Sequence, residues 1–473
     1  MPLSRLDQIY RSVLLSKYFV EGWGKPESLK RLCEFRKIVS NRETCYKLVE
    51  PDYPVTITKE ESWSDCQVLE GYFISPLVQY LPGIVPPESE KAHFQLILPK
   101  KWNRPNFKPV CLPYGRHRRS LLLEEKNNPS KTFTERGQYW FHHHRKSFLW
   151  SQETKRTVTF HSSNVSDIFV MGGCLILESL VLFHWCQNMG LGPLGVTGLS
   201  MGGHMASLAA TTWPKPIVLV PCLSWSTASG VFTEGVLSNA ICWDLLETQY
   251  QENESLRIEV QKMLSCIDPN FIAGQIFAKQ YNENLIHSDH PISTVDPVSD
   301  FKVTSNLIKD SDLEAASIGL SLSKPELASK VKPSGLSQYL KLQDMKILNT
   351  DEYLKVLKSV TDKLAVLSDW KSGKGMSEEQ KEALQFMRGI MDEFTHLTQF
   401  STPVDTSLIT AVCAIDDGYV PRDGVMDLKD IWPEAKIVYV NAGHVSAFVL
   451  HQKTFRQAII DAYEKARIKY HSS

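Results

Sequence analysis

The sequence lacks a surplus of either charge. Its 52 Lys and Arg stand against 53 Asp and Glu, a formal net charge of -1. Neutralising a phosphate backbone takes a basic face, so a dedicated nucleic-acid binder is disfavoured. Clustered cysteine is also missing. Ten cysteines are scattered without a C-x-x-C pair, which speaks against a zinc site or a disulfide framework and for buried, reduced thiols. The start of the chain has no continuous apolar core followed by a small-residue cleavage site, so secretion is disfavoured and an intracellular location is expected. The sequons at Asn164 and Asn253 recur by chance and carry little weight. Long apolar runs are rare. Residues 168–185 are the one candidate membrane span, and Glu178 at the middle of the run costs roughly 3 kcal/mol in a bilayer. A buried helix is expected there, and no transmembrane helix elsewhere.

What is present begins with helical spacing. Leu6, Ile9, Tyr10, Val13, Leu14 and Tyr18 recur on one face, with Arg5, Arg11 and Lys17 between them. A basic amphipathic helix suits a mitochondrial presequence, a membrane-surface contact, or a helix packed on the core; Asp7 and Glu21 weaken the presequence reading. Residues 1–105 form an N-terminal region, with a helix at 30–41 and strands at 67–75 and 93–98; a third strand starts at Val110. Apolar runs at 194–196 and 216–220 read as covered strands of a parallel sheet. Helical patterns occupy 243–281. Residues 282–374 turn polar and aperiodic, which predicts a largely disordered insertion. A helix at 377–400 carries Phe386, Met387, Ile390, Met391 and Phe394 on one face. Strands at 408–413 and 436–440 and a helix at 447–470 end the chain. Alternating strands and helices define an α/β class with a mostly parallel sheet.

The strand at 194–196 runs into Gly198-Leu199-Ser200-Met201-Gly202 and then a helical pattern of small and apolar residues. Strand, tight turn and helix around G-x-S-x-G are what a nucleophile elbow needs: glycines let the serine sit in a strained turn with its hydroxyl exposed. The same turn places the Met201 N–H at a helix N-terminus, where it can stabilise an oxyanion. A serine hydroxyl is a poor nucleophile until a base takes its proton, and that base needs an orienting carboxylate. Both follow strands here: Asp416-Asp417-Gly-Tyr-Val-Pro421 after one, Gly443-His444 after the next. Asp417, four residues before Pro421, fits the acid better than Asp416, and His444 fits the base. His204, His184 and His396 read as core or surface histidines.

These motifs, with Trp213-Pro-Lys-Pro216 and the run from Pro221 to Phe232, resemble the α/β hydrolases. The resemblance implies a lipid-directed serine hydrolase. One stretch departs from it. Residues 112–163, with Arg116-His-Arg-Arg119 and His142-His-His144, lack the glycine-rich loop that supplies the second oxyanion N–H in such enzymes. Shifted by one nucleotide with codons the code allows, 113–126 becomes a Thr-Gly-Asp run and 144–155 an Asn-Pro-Phe-Tyr-Gly turn, both similar to the family pattern. An out-of-frame segment is the resulting expectation, with part of the sheet lost and the histidine run without function.

The expected protein is therefore an α/β hydrolase with a mostly parallel sheet flanked by helices. Its core spans 106–223 and 401–473, interrupted between the sixth and seventh strands by a helical cap at 224–400. Ser200 is the expected nucleophile, His444 the base, Asp417 the orienting acid and the Met201 N–H an oxyanion donor. Trp225 and Phe232, with Leu237 and Trp243, are the candidates to line an acyl pocket. The reaction is ester hydrolysis through an acyl-enzyme with no metal or organic cofactor, on acyl lipids or on phospholipids of an organelle membrane, reached through peripheral contact. The alternatives are a serine peptidase and a non-catalytic hydrolase fold that binds a partner.

Overall fold

The computed structural model describes residues 4–14, 16–102, 104–114, 139–142, 162–264 and 377–471. The insertion expected at 282–374 lies outside the described residues, as do His143 and His144. Three strands run antiparallel at one end of the sheet: β1 (Thr56–Ser62), β2 (Cys66–Ile74) and β3 (Lys91–Pro99). The others are β4 (Val110–Tyr114), β5 (Tyr139–His142), β6 (Leu194–Leu199), β7 (Val218–Cys222), β8 (Thr410–Ala414) and β9 (Lys436–Val440), paired in parallel. Among the described residues the sheet order is β1-β2-β3-β5-β4-β6-β7-β8-β9. β4, β7 and β8 are buried along their whole length. That is why they read as continuous apolar runs: helices cover both faces of a parallel sheet.

Two strands depart from expectation. β1 was not expected: its Thr-Ile-Thr-Lys-Glu-Glu-Ser sequence is exposed almost throughout, because an edge strand needs only one bonded neighbour and no buried face. With β1 and β5 both counted, seven described strands precede the interruption, which falls between β7 and β8. β5 falls in the stretch expected to cost the sheet a strand, yet its backbone pairs antiparallel with β3 at Gln95 and Leu96 and parallel with β4 at Val110 and Cys111. Backbone pairing asks only for an extended chain, which the Tyr-Trp-Phe-His sequence favours.

The helices that matter to the site are α1 (Arg5–Val13), α2 (Pro26–Ser40), α3 (Val165–Asn188), α4 (Met201–Thr212), α5 (Trp243–Glu252), α6 (Glu378–Thr395), α7 (His444–Leu450) and α8 (Gln452–Tyr470). α3, the helix long and apolar enough to cross a membrane among the described residues, is buried, Glu178 included. Asn164 and Asp167 begin it with a reciprocal capping box, the Asn164 N–H donating to Asp167 Oδ2 at 2.8 Å. The expected terminal helix is broken at His451 into α7 and α8.

Segments 224–264 and 377–400, expected as a cap, share a core with the N-terminal region. Trp23 donates its indole N–H to the Leu246 carbonyl at 2.8 Å and meets the Phe386 ring edge-on at 4.8 Å. Phe169 of α3 stacks on Phe394 of α6 at 3.9 Å. Arg36 of α2 pairs with Glu393 of α6 in the interior. Phe386, Met387, Ile390 and Met391 are almost wholly buried, which is the apolar face that their spacing predicts.

Candidate active site

Ser200 sits between β6 and α4 with φ 56 and ψ −122, a left-handed conformation that costs a non-glycine residue free energy unless its surroundings impose it. They do. The Ser200 N–H donates to the Cys222 carbonyl of the neighbouring strand end at 2.8 Å, and the Ser200 carbonyl accepts from Gly203 at 2.9 Å and His204 at 3.2 Å. The glycines are steric. A β-carbon on Gly198 would lie 2.2 Å from the Gly202 carbonyl carbon, and one on Gly203 would lie 2.9 Å from Ser224 Cβ. Strand and helix therefore touch through backbone alone. Met201 opens α4, where no intrahelical acceptor precedes its N–H.

The other two residues come from the following strand ends. Asp417 lies in the loop after β8, and His444 opens α7 after β9. His444 Nδ1 is 2.8 Å from Asp417 Oδ2 and 3.0 Å from Oδ1. The carboxylate is buried and fixed, accepting from the Tyr419 and Val420 N–H groups at 2.9 Å each. The Tyr419 ring covers the imidazole at 4.9 Å. Asp416 takes part in this region through its backbone: its N–H donates to the Ala442 carbonyl and its carbonyl accepts from Ser4. Ser200, Asp417 and His444 thus all stand at the carboxyl edge of the parallel strands. Among the described residues no hydrogen bond joins the Ser200 hydroxyl to His444.

The remaining candidates are core residues. Trp225 and Phe232 are 6% and 4% exposed. Trp225 stacks on the His204 ring at 5.7 Å and accepts from His204 Nδ1 at 3.2 Å through its carbonyl; Phe232 packs against Phe19 at 5.4 Å. Burial pushes the His204 imidazole down from 6.5 to about 4, so the ring is neutral near pH 7. Trp243 and Leu237 are half-buried at the border of the same core. His184 and His396 are buried too. The loop after β4, expected to hold the second oxyanion donor, lies outside the described residues. Of the cysteines described, all are free and Cys242 alone is not fully buried; Cys266 lies outside the described residues.

Two residues of the site escaped sequence reading. Tyr419 lies inside the Asp417 motif, and its aromatic type was the available signal. Asp7 lies 411 residues before Gly418 in the chain; the signal was an acid among the apolar positions of α1.

The strained serine between a parallel strand and a helix, with an acid and a histidine on later strand ends, defines an α/β hydrolase fold. The chain belongs to the family described as alpha/beta hydrolase domain containing 18, which it matches over residues 16–115 and 147–465. The match includes 112–115 and 147–163 of the stretch expected to depart from the family, so the departure narrows to residues 116–146. Among solved structures the chain is similar to acetyl xylan esterase 1 from Thermoanaerobacterium sp. JW/SL YS485, at 10% identity and TM-score 0.37, covering 98% of this chain and 100% of that one. It is also similar to a rice cell wall degrading esterase from Xanthomonas oryzae, at 9% identity and TM-score 0.33, covering 89% and 97%. A third is an acetyl xylan esterase from Paenibacillus sp. R4, at 13% identity and TM-score 0.31, covering 56% and 76%.

Proposed function

We propose that the chain is a serine esterase that cleaves carboxylic esters through an acyl-enzyme. The observation that carries this reading is the pairing of a strained Ser200 at the elbow with a histidine already held by a buried carboxylate. Asp417 commits Nδ1 and leaves Nε2 to take the Ser200 proton as Oγ attacks the ester carbonyl. The Met201 N–H stabilises the oxyanion that forms. The imidazolium then returns its proton to the leaving alkoxide, and water, activated by the same histidine, releases the acid and restores Ser200.

Acyl lipids are the proposed substrates. The support is the orientation of α1, which buries Asp7 and Arg11 and leaves Leu6, Ile9, Tyr10 and Leu14 between 41% and 51% exposed. An exposed apolar face on a helix next to the base suits peripheral contact with a lipid surface. Esters of graded acyl length, with free acid as the readout and His444→Ala as control, test the reading. A rate that rises with acyl length and vanishes in the variant supports it; preference for acetyl esters removes the lipid part.

A second reading has an observation of its own. The family match breaks off between residues 115 and 147, where the second oxyanion donor is expected. Loss of that donor lowers turnover by about 100- to 1,000-fold; in this reading the chain is a non-catalytic binding protein, and it would release no acid from any ester.

A further inference from the structure

The esterase mechanism leaves one buried carboxylate beside the base unused. Asp7, in the first turn of α1, is fully buried. Its Oδ2 accepts from the Gly418 N–H at 2.9 Å and from the His444 N–H at 2.8 Å, and its Oδ1 accepts from the Val445 N–H at 2.9 Å. Gly418 follows the acid directly; His444 and Val445 are the base and its successor. One carboxylate therefore spans the loop after β8 and the start of α7.

The surroundings are shaped for it. Ser4 caps α1 by accepting from the Asp7 N–H, and its own N–H donates to the Asp416 carbonyl at 3.2 Å. Both glycines next to the triad make room: a β-carbon on Gly443 would lie 2.3 Å from Ser4 Oγ and 2.8 Å from Asp7 Oδ2, and one on Gly418 would lie 3.0 Å from Asp7 Cβ. The three N–H groups have no comparable acceptor if the carboxylate is withdrawn, and buried unpaired donors drive a local rearrangement. That rearrangement would separate the loop carrying Asp417 from the residue that must stay on it.

Resting on the esterase reading above, we propose that Asp7 is a positioning residue for this reaction. It fastens the acid loop to the base, which makes the first helix of the chain part of the catalytic apparatus. Asp7→Asn keeps the shape but turns an N–H2 towards at least one of the three donors, and Asp7→Ala removes all three acceptor contacts.

The test compares full-length wild type, Asp7→Asn and Asp7→Ala by three measurements. These are the rate of fluorophosphonate labelling at Ser200, the separate KM and kcat for a soluble ester, and the far-downfield proton resonance of the His444 Nδ1–H···Asp417 bond. Displacement of a triad member by about 1 Å costs on the order of 100-fold. The expected result is a fall of about 10- to 100-fold in labelling and kcat, a KM within about twofold, and loss or broadening of the resonance, in a variant that still unfolds cooperatively. Wild-type labelling and an unchanged resonance in folded Asp7→Asn overturn the proposal. So does failure of both variants to fold, which assigns Asp7 to stability. If the wild-type chain neither labels nor turns over, the esterase reading fails, while the resonance still reports whether Asp7 holds His444 to Asp417.

Discussion

His444 Nδ1 lies 2.8 Å from Asp417 Oδ2, and the neighbouring Asp416 engages the region through its backbone. Asp417 rather than Asp416 is therefore the proposed acid of the site. Asp417→Asn presents a donor or a neutral acceptor to Nδ1 and mis-sets the tautomer, so kcat should fall by roughly 1,000- to 10,000-fold. Asp416→Asn should stay within about threefold, since it forms no part of that pair. Equal losses in the two variants, measured on one soluble ester, would move the acid.

Gly198 has no room for a side chain. A β-carbon there meets the Gly202 carbonyl at 2.2 Å, and both partners are backbone at a strand–helix junction. Gly198→Ala should destabilise the chain by about 3 kcal/mol or more, read as a lower urea midpoint together with lost labelling at Ser200. An unchanged midpoint would mean the elbow is wider than this geometry allows.

Arg36 and Glu393 join α2 to α6 through an ion pair whose side chains are 8% and 0% exposed. Removing one partner strands the other charge, so Glu393→Ala should cost about 3–5 kcal/mol. Replacing both, as Arg36→Met with Glu393→Leu, should recover most of that loss, because two apolar groups need no desolvation of charge. A single variant as stable as wild type would show that 377–400 is not part of the core.

His204 makes stability depend on pH. Its folded-state value is about 4 against an ordinary 6.5. Above about pH 6.5 the ring is neutral in both states and adds no pH dependence. Between about 6.5 and 4 the unfolded chain binds a proton that the folded chain refuses, so stability falls as pH falls, by on the order of 3 kcal/mol in all. His204→Gln should flatten this part of the profile, measured as urea midpoints at pH 5 and pH 7.5. Equal slopes in variant and wild type would contradict the burial effect.

The elbow was legible in the sequence because its causes are local: a covered strand, glycines that admit backbone contact and a helix all lie within a few residues of Ser200. The parallel strands were legible for a similar reason, since covering both faces leaves an apolar run. β1 was not, because an edge strand with both faces wet has no alternation to read. The core that 224–264 and 377–400 share with the N-terminal region was not legible, because aromatic residues such as Phe232 look alike in a pocket and in a core; only Phe19, more than 200 positions earlier in the chain, tells them apart. Asp7 was visible only as an oddity. Its partners arrive from the far end of the chain, and spacing cannot report a contact of that kind.

The most direct test of the central claim is labelling of the purified chain with a fluorophosphonate, beside Ser200→Ala. A serine esterase with Ser200 as nucleophile is labelled covalently at Ser200 in the wild type and not at all in the variant. A folded wild-type chain that stays unlabelled would contradict the claim, and would leave a hydrolase fold that binds without cleaving.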